Sequence, residues 1–451
     1  MKTGFLSPER LGRLLSAWRR EDGAVAVQFA MVLLPMAVMV FGALDVSRGS
    51  AAKMRLQDAL DAATLAAARS PATTDAELQA VGEAVLAADL TATEAVLRSS
   101  SFRLDGSKVV ATARASMTTV VANLWRDGDM TIGAESEVTR ASNNIEVALA
   151  LDVTGSMSGQ KIADLKAAAK DLVDLVVQDQ QSPYYTKLAL APYSAAVNVG
   201  TYADSVRGAY TAGTCTTPGC ASYKFTNASG GTRTFNISTC VTERTGTNAF
   251  TDAAPSSTFL GRNYPASGNP CLASTIMPLS TDKSALKSRI DGLAAAGSTA
   301  GHLGLAWGWY LVSPNFASLW PTASQPAAYG ADKLLKVVVL MTDGAFNTTY
   351  CNGVISRDSG SGSGSSSDHV NCNAPNGGAF SQAQTLCANM KAAGVIIYTV
   401  GFDVASDAAA QSIVQQCATD AEHVYLPSTG AALKDAFHAI GEDISRLRIS
   451  R

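Results

Sequence analysis

The chain has 451 residues with 35 basic and 38 acidic side chains, a net charge of −3, and it is 47% hydrophobic and 16% charged. That length allows about three domains, and the charged share is well below the roughly 25% of an ordinary soluble domain. These figures exclude a long disordered chain, a many-span transporter and a general nucleic-acid binder, which needs a basic excess to neutralise phosphates. The four histidines, His302, His369, His423 and His438, never fall at His-x3-His spacing, so a histidine-based zinc site is not expected. A phosphate loop, a dinucleotide glycine fingerprint and a nucleophile elbow are also absent from the sequence.

At the N-terminus, Lys2, Arg10, Arg13, Arg19 and Arg20 precede an uncharged apolar run from Ala24 to Leu44. A run of about 20 such residues crosses a bilayer as a helix, and a basic flank stays on the cytoplasmic side. Residues 1–23 are therefore expected in the cytoplasm, 24–44 in the membrane, and everything after Asp45 outside it. A cleaved secretory signal is the competing reading, but the run exceeds the usual hydrophobic region and has no clear small-x-small exit before Asp45. Arg19-Arg20-Glu21-Asp22-Gly23, the apolar run, Asp45-Val46-Ser47-Arg48 and the segment Leu56–Ala68 (LQDALDAATLAAA) together resemble the N-terminus of TadE/TadG-like proteins of the tight-adherence (Flp) pilus machinery. In related pseudopilins a peptidase cuts after the glycine, and an acidic residue stands at the fifth position of the mature chain. Here Gln28 occupies that position, so an uncleaved anchor is expected.

Residues 45–143 read as a small α+β stalk. Apolar residues recur at helical intervals from about Ser50 to Arg98, for example Leu56, Leu60, Ala63 and Ala67, then Leu78, Val81, Val85 and Leu86. Alternating segments from Phe102 and from Met130, with a turn at Asp105-Gly106, predict short antiparallel strands.

From Asn144 to Arg451 strands alternate with helices, which predicts an α/β domain with a doubly wound, mostly parallel sheet. Two stretches interrupt it. Residues 200–274 are rich in Thr, Ser, Gly and Asn and read as an insertion stapled by disulfides. Residues 347–380 contain the run Ser359–Ser367 (SGSGSGSSS) and are expected to form a flexible, solvent-exposed loop. All eight cysteines lie in this half, an even set that suggests disulfides in an oxidising compartment. Cys351 and Cys372 bracket the flexible loop and should pair. Cys387 and Cys417 lie in the helices before and after one strand, helices that can be neighbours across a sheet face. Cys215, Cys220, Cys240 and Cys271 allow three connectivities, of which Cys215–Cys220 with Cys240–Cys271 is favoured.

The first strand of this domain ends in Asp152-Val153-Thr154-Gly155-Ser156. Two later segments return to the same edge, Gly297-Ser298-Thr299 before a helix and Thr342-Asp343-Gly344 after a strand. Ligands in open α/β sheets bind outside the carboxyl ends of the strands. Oxygen ligands without His or Cys suit Mg²⁺, Mn²⁺ or Ca²⁺. The three segments resemble the metal-ion-dependent adhesion site of the von Willebrand factor A family, with Asp152, Thr154 and Ser156 in the first motif, Thr299 in the second and Asp343 in the third. The resemblance implies metal-dependent binding of a partner's carboxylate without catalysis. Ser158-x-x-Lys161 fits a hydrolase tetrad, but its companion signatures are missing, so Lys161 is read as a solvated residue on the first helical turn. The expected protein is anchored by a single pass in a bacterial inner membrane with its bulk in the periplasm. It is expected to assist assembly or anchoring of a Tad/Flp-type pilus by binding a pilus or secretion component, and not to bind nucleic acid. A cell-envelope adhesin or sensor unrelated to pilus building is the alternative.

Overall fold

The structure is a computed structural model that describes residues 21–70, 72, 74–90, 95–105, 108–119, 129–139, 143–182 and 184–449. The basic flank before Glu21 and the turn at Gly106 lie outside the described residues. The chain divides into two compact units, Met1–Arg140 and Ala141–Arg451.

In the first unit, helix α1 (Glu21–Arg69) runs without a break from the apolar segment into the Ala/Leu-rich segment, with Pro35 inside it. Apolar side chains in its first half, such as Phe29, Met31 and Leu34, are exposed. The helix is long and apolar enough to cross a membrane. Helix α2 (Asp75–Leu90) starts with a capping box in which the Thr74 amide donates to Glu77 and the Glu77 amide to Thr74 Oγ1. Strands β1 (Val96–Asp105), β2 (Lys108–Met117) and β3 (Met130–Thr139) form an antiparallel meander. Leu56, Leu60, Ala63 and Ala67 of α1, Leu78 and Leu86 of α2, and Phe102, Val109, Ala111 and Ala113 of the sheet close a small core. Helix was expected to reach Arg98. Instead it stops at Leu90, and Val96 and Leu97 pair with β2 while Arg98 lies at a bulge in that pairing.

The second unit alternates β4 (Asn144–Asp152), α3 (Gln160–Val176), β5 (Thr186–Tyr193), β6 (Met277–Ser280), α4 (Lys283–Asp291), α5 (Gly301–Val312), β7 (Leu334–Thr342), α6 (Ala379–Ala392), β8 (Ile396–Gly401), α7 (Ala408–Cys417), β9 (Val424–Tyr425) and α8 (Gly430–Ile449). Their sheet order is β6-β5-β4-β7-β8-β9. Neighbours are parallel except β6, which runs antiparallel to β5 at the edge. Taken in sequence order the strands read 3-2-1-4-5-6, so the winding reverses between β4 and β7 and opens a crevice at their carboxyl ends.

Side chains explain the two layers. Because successive strand residues face opposite ways, Ile145, Val147, Leu149 and Leu151 of β4 pack under α3, α4 and α8. Ala148 and Ala150, with Ala189 and Ala191 of β5, leave a shallow face that α5 fills. Helix α5 is buried on every side and sits tight on the sheet. A Cβ at Gly304 would fall 2.0 Å from the Tyr193 ring, and one at Gly308 would fall 2.8 Å from Val338. Gly304 and Gly308 thus let a helix otherwise rich in bulky apolar side chains lie close on the sheet.

The first insertion is stapled by disulfides as expected, and the second departs from expectation. Residues 200–274 include a small sheet, Thr211–Cys215, Cys220–Thr226 and Thr232–Asn236. Residues 347–380 were expected to be flexible and exposed, yet they fold onto that insertion. Tyr223, Phe225 and Tyr264 share a core with Cys351, Val354 and Val370, and Ser356, Ser363 and His369 are buried. Low-complexity composition missed this because backbone hydrogen bonds hold the segment in place of apolar side chains. Disulfides join Cys215 to Cys220, Cys240 to Cys271, Cys351 to Cys372 and Cys387 to Cys417, with Cα separations of 5.7, 5.7, 6.1 and 5.1 Å.

Candidate metal-binding site

Asp152 is the last residue of β4, at the point where the winding reverses, and its side chain is fully buried. The chain then turns through a short 3-10 segment, Gly155–Met157, into α3. The Thr154 amide and Oγ1 both donate to Asp152 Oδ1, at 2.9 and 2.6 Å. Asp152 Oδ2 accepts from Thr342 Oγ1 at 2.9 Å and lies 3.3 Å from the hydroxyl of Tyr193. That tyrosine is fixed by the close packing of Gly304 and by donation to the Met341 carbonyl at 2.8 Å.

Asp343 follows β7 and is also buried. Its Oδ1 accepts from Ser156 Oγ at 2.6 Å, and Ser156 Oγ lies 2.9 Å from Thr154 Oγ1. Asp152, Thr154, Ser156 and Asp343 thus form one chain of oxygens. The Thr299 loop joins it through its backbone: Gly155 N donates to Gly297 O at 2.8 Å, Ala296 N to Val153 O at 3.0 Å and Ala300 N to Ser194 O at 2.9 Å. The structure therefore places Asp152, Thr154, Ser156 and Asp343 in hydrogen-bonded contact and Thr299 on the adjoining loop.

The proton count along this chain does not balance. Three oxygen–oxygen contacts, Asp152–Thr154, Thr154–Ser156 and Ser156–Asp343, share two hydroxyl protons. With both hydroxyls donating to carboxylates, the 2.9 Å contact between Thr154 and Ser156 sets lone pair against lone pair. A proton shared with a carboxylate, or a cation, would relieve that contact. Burial, and then the charge of Asp343, push the Asp152 carboxyl up to about 6. The same burial, with the neighbouring carboxylate, pushes the Tyr193 phenol well above its ordinary value and keeps it a neutral donor.

Lys161 was read from sequence as a solvated residue. In the structure its ammonium lies 3.1 Å from Asp343 Oδ2 and 3.3 Å from Asp403 Oδ2, beside the Phe402 ring. Burial lowers its pKa, but the two carboxylates outweigh burial and hold it above the ordinary lysine value. Asp403 itself stands in the left-handed region at φ 58°, its amide donating to the Pro427 carbonyl at 2.8 Å. No signal in the first strand motif pointed to Asp403, because it arrives from the end of β8, about 250 residues later in sequence.

Among the described residues no group of three or more His, Cys, Asp and Glu gathers as a metal cage. A cation here would be held by two carboxylates and by hydroxyls. That donor set fits a hard divalent ion, and Lys161 marks where positive charge is wanted.

Residues 23–65 match the TadE-like protein family. The match covers α1 from Gly23, the apolar segment and the first turns of the stalk helix. The second unit has a von Willebrand factor A-like fold, a mostly parallel sheet in the order β6-β5-β4-β7-β8-β9. Among solved structures, similarity extends to the von Willebrand factor domain of the type V pili tip protein Mfa5 from Porphyromonas gingivalis, at 13% identity and TM-score 0.38, covering 69% of this chain and 97% of that one. It extends also to the adhesive tip pilin GBS104 from Group B Streptococcus agalactiae, at 12% identity and TM-score 0.36, covering 67% and 100%. A von Willebrand factor type A protein from Catenulispora acidiphila matches at 14% identity and TM-score 0.31, covering 78% and 51%. No curated protein gives a match to the chain.

Proposed function

We propose that the chain is a membrane-anchored binding protein of a pilus apparatus, which captures a partner's carboxylate through a divalent cation and catalyses no reaction. The observation that carries the binding site is the proton-deficient oxygen chain from Asp152 to Asp343, placed where the sheet reverses its winding. Asp152, Thr154, Ser156, Thr299 and Asp343 would hold Mg²⁺, Mn²⁺ or Ca²⁺. The bound ion would supply a coordination position that an acidic side chain of the partner can enter. The protein's own part is to keep both carboxylates buried and oriented, through Thr342, Tyr193 and the Thr154 amide, so that little reorganisation is needed on binding.

The pilus assignment rests on the TadE-like segment. The anchoring assignment rests on the apolar exposed half of α1. The basic residues before it favour a cytoplasmic N-terminus, and the four disulfides favour a periplasmic second unit.

Two experiments test the reading. A reporter fused after Arg69 is expected to act in the periplasm, and cytoplasmic activity would overturn the orientation. A strain lacking the protein is expected to lose its pili, to regain them with the wild-type chain and not with Asp152→Ala/Asp343→Ala. Equal restoration by both chains would contradict a role for the site in pilus building. Normal piliation in the deletion strain would favour an envelope adhesin or sensor.

A further inference from the structure

The two insertions meet at the Thr299 loop. Asn269, in the first insertion, accepts from the Ser298 amide through Oδ1 at 2.7 Å and donates through Nδ2 to the Ser363 carbonyl at 2.8 Å. Asn347, at the start of the second, accepts from the Thr299 amide through Oδ1 at 3.0 Å and donates through Nδ2 to the Ser361 carbonyl at 3.1 Å. The Thr299 carbonyl accepts in turn from the amides of Asn347 and Thr348, at 2.9 and 3.1 Å. Thr348 Oγ1 contacts both Ser298 Oγ, at 2.7 Å, and Asn347 Oδ1, at 2.8 Å.

The Ser-Gly run lies directly on these two asparagines. A Cβ at Gly360 would fall 3.3 Å from Asn347 Cβ, one at Gly362 3.0 Å from Asn347 Nδ2, and one at Gly364 2.9 Å from Asn269 Nδ2. Gly362 and Gly364 also stand at φ 87° and 110°, where other residues are strained. The alternation of serine and glycine therefore gives a backbone that can pass close over two side chains and offer them carbonyls. A free linker needs neither property.

We propose that Asn269 and Asn347 are positioning residues, gripped by the run Ser359–Ser367, which hold Thr299 in place for the cation. The insertions on this A-like domain then serve as an outer support for its second metal-binding loop. The inference rests on the metal-site reading of the preceding subsection. Groups that orient a metal's ligands typically govern affinity 10- to 100-fold, and a loop held from outside its own sheet is the kind most exposed to their loss.

The test uses the full chain in detergent, with Mn²⁺ as the probe. Calorimetry on wild type, Asn347→Ala and Gly362→Ala is paired with amide hydrogen exchange at Thr299 and within β4. Gly362→Ala removes no hydrogen-bonding group and disturbs only the run above Asn347. Both variants are expected to bind Mn²⁺ about 10-fold or more weakly, with faster exchange at Thr299 and unchanged exchange in β4. Equal affinity in all three proteins would overturn the positioning role and leave the metal reading standing. Exchange that rises equally at Thr299 and in β4 would show a general loss of fold and overturn it too. Wild type that binds no Mn²⁺ would remove the metal reading and this inference together.

Discussion

The two ends of the central strands β4 and β7 bury charge in opposite ways. At their amino ends Glu146 and Lys336 are register partners, with Nζ 2.5 Å from Oε2. Glu146 Oε1 also accepts from Tyr185 OH at 3.0 Å and from the Ala327 amide at 2.8 Å, while Lys336 donates to the Val312 carbonyl at 2.8 Å. Every strong group there has a partner, and the charges cancel. At the carboxyl ends Asp343 shares the partly exposed ammonium of Lys161 with Asp403, while Asp152 is met by the neutral donors of Thr154, Thr342 and Tyr193. The difference teaches that burial of charge alone does not mark a site. A self-neutralised pair is costly to break by removing one partner, whereas two neighbouring buried carboxylates keep negative charge that the proposed cation would offset.

The largest effect is expected at the closed end. Lys336→Met leaves Glu146 buried and unpaired and should cost about 3–5 kcal/mol, measured by denaturant unfolding of the full chain. Glu146→Leu/Lys336→Met should cost less than that single change, and neither should alter the response to Mg²⁺. Next is the open end. Asp343→Asn removes repulsion from Asp152, so the metal-free protein should melt no lower than wild type. It should nonetheless lose the stabilisation of about 2–3 kcal/mol that saturating Mg²⁺ confers at 100 times its Kd. Melting curves with and without Mg²⁺ check both expectations.

The third prediction concerns pH. With burial and Asp343 pushing Asp152 up to about 6, above the unfolded value of about 4, the metal-free fold is favoured while Asp152 is protonated. It loses that stability as pH rises from about 4 through about 6. The melting increment from Mg²⁺ should therefore grow across this window, and an increment that shrinks would contradict the assignment. The smallest effect is at Lys161. The Lys161 ammonium is partly open to solvent and divided between Asp343 and Asp403, so Lys161→Met should tighten Mn²⁺ binding by only about fivefold in calorimetry.

The contrast also shows what the sequence made legible. The continuous apolar run that ends in Asp152 predicted a strand covered on both faces, and every residue from Ile145 to Asp152 is buried. The return of Thr299 and Asp343 to the same edge followed from the alternation of strands and helices. Lys161 was misread because its partners come from the ends of β7 and β8, and no local spacing announces a contact that topology creates. The Glu146–Lys336 pair was missed for the same reason, since register between β4 and β7 is set across almost 200 residues. The Ser-Gly run was misread because composition reports what a segment lacks for a hydrophobic core. It does not report what a buried asparagine, Asn269, and a half-buried one, Asn347, can fasten by hydrogen bonds.

The most direct test is calorimetric titration of Mn²⁺ into the full chain in detergent, for wild type, for Asp152→Ala/Asp343→Ala at the carboxyl edge and for Glu146→Leu/Lys336→Met at the amino edge. One site is expected in wild type and in the amino-edge variant, and none in the carboxyl-edge variant. Equal Mn²⁺ affinity in wild type and Asp152→Ala/Asp343→Ala would contradict the account.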